Sequence, residues 1–265
     1  MTSPPPAAPV SQKIHAERIL LLGWGRALLL QFAHPAVARG IADHSAFLHE
    51  KRARWSRLAR TLEAMLVLTF GSSPEADVVA RRINAIHDRV QGPMGLEDGP
   101  RYSAHDPALL RWVHATLVDS FLRAYELYVG PLAPAEQERY VAEATGIEPR
   151  LGIPSGFLPR TVPALARYME GMLAGPELAI TEPARRLARE LFRPVPRVMG
   201  PAMWMARLPA IGLLPARLRE EYGFPWNPRR EVALRGTALA IRAVVRITPR
   251  PLRHWAKARA GPPYS

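Results

Sequence analysis

The chain is predicted to be all-α, a single multi-helix globular domain enclosing a pocket. Three observations carry that reading. Apolar residues recur at three- and four-residue spacing, alternation of the kind strands need is scarce, and prolines and glycines cluster between the periodic stretches. A length of 265 residues suffices for one sizeable core, and no compositional break marks a second.

The elements follow in order. Residues 1–12, MTSPPPAAPVSQ, form a Pro-rich, uncharged stretch expected to be a disordered tail. From Ile14 to about Val37 the apolar helical pattern is dense enough to be central to the fold, and Pro35 should end or kink it. A short segment through Phe47 precedes a helix from about Arg54 to Phe70. Gly71 stops that helix, and Ser72-Ser73-Pro74-Glu75 starts another, which runs to about Val90 and halts at Gly92-Pro93. Gly92 to Pro100 reads as a loop. Asp106-Pro107 then supplies a cap and a first-turn proline for a long helix to about Val129. Further helices are expected at about 134–145, 161–174, 182–192, 201–207, 215–221 and 231–247. The stretch LGIPSGFLPRTVP is too rich in Pro and Gly for regular structure. The helical domain is thus taken as 13–250, followed by a basic C-terminal tail, 251–265.

Composition removes several kinds of chemistry. With no cysteine, disulfides, iron–sulfur clusters, thiolate nucleophiles and thiolate-bound or covalently attached haem are excluded. Any metal must be held by nitrogen, oxygen or thioether ligands. The formal charge of +13 comes mostly from arginines scattered over nearly every predicted helix. That pattern suits an anionic cofactor or membrane surface as well as it suits an Arg-rich proteome, and no nucleic-acid signature accompanies it, so no nucleic-acid partner is expected. No secretion signal is visible, and Arg26 interrupts the apolar run from Ile19 to Gln31 well short of a membrane span. A cytoplasmic location is the expectation, with peripheral membrane contact left open. The sequence says nothing of oligomeric state.

Familiar motifs are missing or incomplete. Gly23-Trp24-Gly25 resembles the start of a dinucleotide fingerprint, but Leu28 stands where the third glycine belongs and no strand precedes it. There is no Walker A loop, no GxSxG elbow, no HExxH, and no histidine with a glutamate three residues before it.

What remains is a concentration of histidine and arginine between Gly25 and His114. His34, His44, His87, His105 and His114 fall there, mostly in segments that otherwise read as buried helix. Imidazole is costly in apolar surroundings unless hydrogen-bonded or bound to a metal. His87 lies i+4 from Ile83 and i−3 from Val90, beside an apolar stripe; spacing alone favours a core histidine bonded to a carbonyl over a ligand. His114 stands i+4 from Leu110 and i−3 from Leu117, and also faces inward. Arg57, Arg60 and Thr61, at i, i+3 and i+4, share one helical face, which reads equally as a solvated basic surface or as one that handles anions or oxygen. His34-Pro35 and Asp43-His44-Ser45 flank a helix break, where their polar groups either cap helix ends or line a pocket.

The ordered blocks GRALLLQFAHPAVARGIADHSAF, RLART, INAIHDRVQG, YSAHDPALLRWVHATL and LGIPSGFLPRTVPAL resemble the family of latex-clearing rubber oxygenases and the fungal oxygenase of mycophenolic acid biosynthesis, over roughly residues 15–225. The resemblance implies an all-α enzyme with non-covalent haem b that uses O2 to cleave carbon–carbon double bonds in an apolar, isoprenoid-like substrate. It places the axial iron ligand on His87 and the distal cluster on Arg57, Arg60 and Thr61. His114 matches a recurrent histidine with a supporting role beside the cofactor. Two departures stand out. The rubber oxygenases carry a lysine at the position of Arg60, and arginine cannot give up a proton to ligate iron. Their glutamate base also has no clear counterpart before Arg57, with Asp43 or His44 nearest. On this reading Arg60 and Thr61 orient or stabilise oxygen, Arg57 meets the propionates or the oxygen, and His44 assists proton movement. Two other readings stand beside it: a haem-binding sensor or carrier without turnover, and a basic helical module docking on membranes through residues 231–247.

Overall fold

A computed structural model describes residues 8–44, 51–95, 99–193 and 200–259, with the backbone alone for 51–58 and 200–205. It bears out the all-α expectation: helices account for nearly all regular structure, and one two-stranded hairpin is the exception among the described residues.

The predicted run from Ile14 to Val37 divides into four pieces. Helix α1 (Val10–His15) begins inside the stretch expected to be a tail. A single 3-10 turn (Arg18–Leu20) leads into α2 (Leu21–Phe32), and α3 (Pro35–His44) follows a break at Ala33-His34. Pro35 has no N–H to lose and a φ suited to a first helical turn, so it opens α3. The Ala33 carbonyl accepts from the Ala179 N–H (2.9 Å), a distant segment.

Helices α4 (Lys51–Phe70) and α5 (Ser73–His87) form a hairpin across Gly71-Ser72, where Glu75 accepts from the Ser72 N–H at 2.8 Å. Strands β1 (Gln91–Pro93) and β2 (Arg101–Ser103) pair antiparallel, with Gly92 opposite Tyr102. The long α6 (Pro107–Tyr128) is capped by Asp106, which accepts from the Ala108 N–H at 2.8 Å. The chain continues through α7 (Pro134–Ala144), α8 (Glu148–Leu151), α9 (Val162–Ala174), α10 (Glu182–Leu191), α11 (Gly200–Gly212), α12 (Ala216–Glu221) and α13 (Pro228–Ile247). Two short helices, α14 (Arg250–Arg253) and α15 (Ala256–Arg259), end the described part.

Helix α2 is the axis of the packing, set between α6 and α11. Gly23 and Gly25 lie about 200° apart around it, and each admits a neighbouring backbone. A Cβ on Gly23 would stand 2.7 Å from the Ala124 Cβ and 2.9 Å from the Ser120 carbonyl oxygen; one on Gly25 would stand 2.7 Å from the Ala210 Cβ. The glycine pair that resembled a nucleotide fingerprint is therefore a helix-packing device. Between them and the helix end sits Arg26, almost wholly buried. Its Nη1 meets Asp119 at 2.6 Å and Ser120 Oγ at 2.8 Å, and its Nε donates to the Leu213 carbonyl at 2.8 Å. Trp112 Nε1 and the Tyr222 hydroxyl donate to the carbonyls of Leu30 (3.2 Å) and Leu29 (2.7 Å).

The C-terminal segment returns to the start of the domain. Glu17 and His254 form an antiparallel bridge, and the Trp255 N–H donates to the Ala16 carbonyl at 3.1 Å. Buried Glu17 takes His254 at 3.0 Å and Arg253 at 3.4 Å. This pairing holds Glu17 extended and separates α1 from the 3-10 turn.

On intrinsic propensity alone, Gly25→Ala would stabilise a helix by about 1 kcal/mol. The contact with Ala210 reverses the sign: Gly25→Ala should destabilise by about 1–3 kcal/mol in denaturant melts. Asp119→Ala, which strands buried Arg26, should cost about 3–5 kcal/mol in the same measurement.

Candidate functional site

The histidine-rich stretch folds into three separate groups. Around the hairpin, α3 ends at His44, α5 ends at His87, and His105 follows β2 directly. Tyr102 joins α3 to the hairpin. Its hydroxyl donates to Asp43 Oδ2 at 2.8 Å, while Arg39 Nε donates to the same oxygen at 2.7 Å. His44 Nε2 lies 3.2 Å from the Gln91 carbonyl and 3.1 Å from the Tyr102 oxygen. A carbonyl only accepts, so Nε2 carries the proton and Nδ1 is left as the acceptor. Burial, and then the bond to Asp43, push the Tyr102 phenol up to about 12. Gly40 and Gly92 lie against this ring: a Cβ on Gly92 would stand 2.8 Å from the Tyr102 oxygen. Neither Asp43 nor His44 caps a helix through these bonds; both fasten α3 to the hairpin.

His87 is half-buried on the last turn of α5. Its Nδ1 is buried and has no hydrogen-bond partner. The His105 ring packs edge-on at 5.7 Å between centroids, and His105 Nε2 is tied to Asp88 at 2.7 Å. Burial first, and then the neighbouring His105, lower the His87 pKa, with Asp88 opposing. The imidazole is neutral near pH 7 with a lone pair uncommitted, and the carbonyl that spacing suggested as its partner is not there. One turn earlier Asn84 Nδ2 donates to the Arg150 carbonyl at 2.9 Å, which docks α5 onto α8.

His34 has the same signature, which its place before Pro35 did not announce. Its Nδ1 is likewise buried without a partner, and burial lowers its pKa against the opposing fields of Asp106 and Glu177. The side chain makes no capping bond; only the His34 backbone does, its carbonyl accepting from Ala38 at 2.9 Å.

His114 belongs to another group, on α6. It feels the field of Glu148, and it acts in turn on His15. His15, outside the stretch singled out from sequence, is bonded at both nitrogens, Nδ1 to Thr69 Oγ1 (2.8 Å) and Nε2 to the Tyr140 hydroxyl (3.0 Å). Buried Glu148 accepts from the N–H groups of Gly156 (3.0 Å) and Leu158 (2.8 Å) and from Arg160 (3.0 Å), shaping the Pro/Gly stretch that lacks regular structure. Burial would raise the Glu148 pKa, but these bonds outweigh it and the net shift is downward.

Arg60 and Thr61 lie on α4 with exposed side chains. The side chain of Arg57, and the segment around Phe47, lie outside the described residues. Arg57 and His87 stand at similar distances from the Gly71-Ser72 turn, about 20 Å along their helices at 1.5 Å per residue. On the inner side of α4, Leu62 and Met65 line a cavity of about 10 Å³ with Leu20, Trp24, Phe121 and Glu17, room for a single water. Among the described residues no three His, Asp or Glu side chains converge on a point where they could hold a metal ion by themselves.

Burial holds both His15 and His114 down to about 4, below the ordinary value of 6.5. Both rings are neutral in the fold, and the unfolded chain takes up protons that the folded chain refuses between those two values. Stability should therefore fall as pH drops from about 6.5 towards 4, by up to about 1.4 kcal/mol per pH unit for each ring. Urea melts across this window, repeated with His15→Gln and His114→Gln, should show the slope diminish with each substitution.

No curated protein and no solved structure matches the chain. A family model does, that of the ER-bound oxygenase mpaB/B'/rubber oxygenase catalytic domain, and it covers residues 12–243. That span runs from within α1 into α13, and takes in the three histidine groups and α4. The chain belongs to the mpaB/rubber oxygenase catalytic domain family, and is an all-α oxygenase domain.

Proposed function

We propose that the protein is a haem b-dependent oxygenase that acts on an apolar, unsaturated or isoprenoid-like substrate, with His87 as the iron's protein ligand. The observation that carries this reading is the state of His87: a neutral imidazole with a buried, unpartnered nitrogen, in a chain that belongs to an oxygenase family. A cysteine-free chain must offer haem a ligand such as His, and a single histidine would suffice because the tetrapyrrole itself supplies the remaining nitrogen donors. When bound, haem supplies the iron at which dioxygen reacts.

The chain's own residues take the remaining roles. Arg57 and Arg60, three residues apart in sequence, would offer guanidinium groups to carboxylates of the cofactor or to charge that develops on oxygen. Arg60 stays charged and acts as a donor where the rubber oxygenases have lysine. Thr61, beside it, orients the oxygen through its hydroxyl. His44 can take up a proton at Nδ1 because Nε2 is spent on Gln91, and the bonds to Tyr102 fix the ring while it does so. His114 supports the cofactor side from α6.

Titration of the purified protein with haemin should give a Soret band that saturates near one equivalent. His87→Ala should lose it, and His87→Gly should regain it on adding imidazole, which fills the vacated site. His34→Ala is the control, because His34 shares the unpartnered nitrogen. A wild type that binds no haem would overturn the haem assignment. Loss confined to His34→Ala would move the ligand to that residue.

A further inference from the structure

We propose that the outward face of α13, continued by α14, docks the protein on an anionic lipid bilayer, with the helix lying in the plane of the interface. This inference rests on the surface of the C-terminal helices and is independent of the haem reading.

Helix α13 is apolar on two opposite sides. At 100° per residue, Leu234, Ala238, Ile241 and Val245 form one stripe, and this stripe is buried or half-buried against the body of the domain. The opposite stripe, Val232, Gly236, Leu239, Ala243 and Ile247, has no charged member, and all of it is exposed. Val232, Leu239 and Ile247 are 68%, 67% and 82% accessible, and Leu252 on α14 is 68% accessible. Of the eight large apolar side chains exposed among the described residues, five fall between Val232 and Leu252. An amphipathic helix needs one apolar stripe to pack; a second, aligned one on the solvent side asks for another apolar phase.

Charge says which phase. Residues 228–259 hold nine Lys or Arg and a single acidic residue, Glu231. Arg235 and Arg246 are exposed along one flank of the outward stripe, with Arg229 and Arg230 at its start and Arg250 beyond its end. Glu231 is already committed, to Arg235 at 3.1 Å and to Trp226 Nε1 at 3.2 Å. A second copy of the chain laid on this face would bring arginine flank against arginine flank with no carboxylate to spare. A bilayer bearing anionic headgroups meets both demands, since the stripe enters the acyl boundary while the arginines reach phosphates and carboxylates. No described helix is long and apolar enough to cross a membrane, so the contact is a surface one. The stripe's end at Ile247 and the whole of α14 lie beyond the span that the family model covers.

The test is co-sedimentation of the full chain with phosphatidylcholine vesicles, with and without about 30 mol % phosphatidylserine, at low and high salt. Binding to the anionic vesicles should be at least about ten-fold tighter than to neutral ones, and salt should weaken it. Leu239→Asp with Ile247→Asp should lower binding at least about ten-fold, with far-UV circular dichroism and melting temperature unchanged because both positions are exposed. Arg235→Gln with Arg246→Gln should reduce the preference for anionic vesicles and, should the aspartate pair fail to fold, decides the matter alone. The proposal is overturned if the wild type does not distinguish the two vesicles, or if both variant pairs bind as the wild type does. A concentration-dependent dimer that the aspartate pair abolishes would also overturn it, by showing that the face joins two chains.

Discussion

The close approach of α2 to its two neighbours is the constraint on which the rest of the structure depends. Gly23 lets α6 in on one side, and Gly25 lets α11 in on the other. Helices that approach this closely leave no room for water, so every polar group there needs a partner inside the protein. Arg26 shows how the need is met: a carboxylate, a hydroxyl and a carbonyl from two different elements surround its guanidinium. The pair with Asp119 fixes the register of α2 on α6, and the carbonyl of Leu213 fixes it on the end of α11. Locking α2 on α6 also sets where α6 carries its polar residues: His114 near Glu148, and Asp106, at its start, next to β2, where its N–H donates to the Ser103 carbonyl at 3.0 Å.

Much of this organisation was legible because it is local. Proline and capping residues announce helix starts through groups only a few residues apart, and Ser72 with Glu75, Asp106 with Pro107, and Pro35 all behave as their chemistry requires. The boundaries of the long helices follow for the same reason. What was not legible depends on distant partners. Nothing near Gly23-Trp24-Gly25 says that Ala124 and Ala210 will stand against it. The 91–103 hairpin has strands of three residues, too short to alternate visibly, and it is organised by Tyr102 reaching Asp43 on another helix. The start of α1 at Val10 is helped by Glu143, which accepts from the Val10 and Ser11 N–H groups at 3.0 and 2.8 Å, across more than a hundred residues of sequence.

The candidate site divides along the same line. Spacing placed His87 beside an apolar stripe but favoured a satisfied core residue; the fold supplies no partner for its Nδ1, and it is that vacancy, a tertiary property, that makes the ring available. For His34 the sequence left capping and pocket-lining open, and it carries the same open nitrogen. His15 was passed over although both its nitrogens bond, because Thr69 and Tyr140 come from remote helices. Where a family pattern was needed, as for the shared face of Arg57, Arg60 and Thr61, helical spacing alone could not separate a solvated surface from an oxygen-handling one.

On the proposed function an apolar substrate would also have to reach the protein, and the exposed stripe of α13 would make a hydrophobic phase its source. The central claim remains the chemistry. It is tested most directly by supplying the haem-loaded protein with an unsaturated isoprenoid under isotopically labelled dioxygen and following products by mass spectrometry. The account predicts oxygen-dependent conversion with label from dioxygen in the product, and loss of both when His87 is replaced. Full haem occupancy with the alkene recovered intact would contradict it.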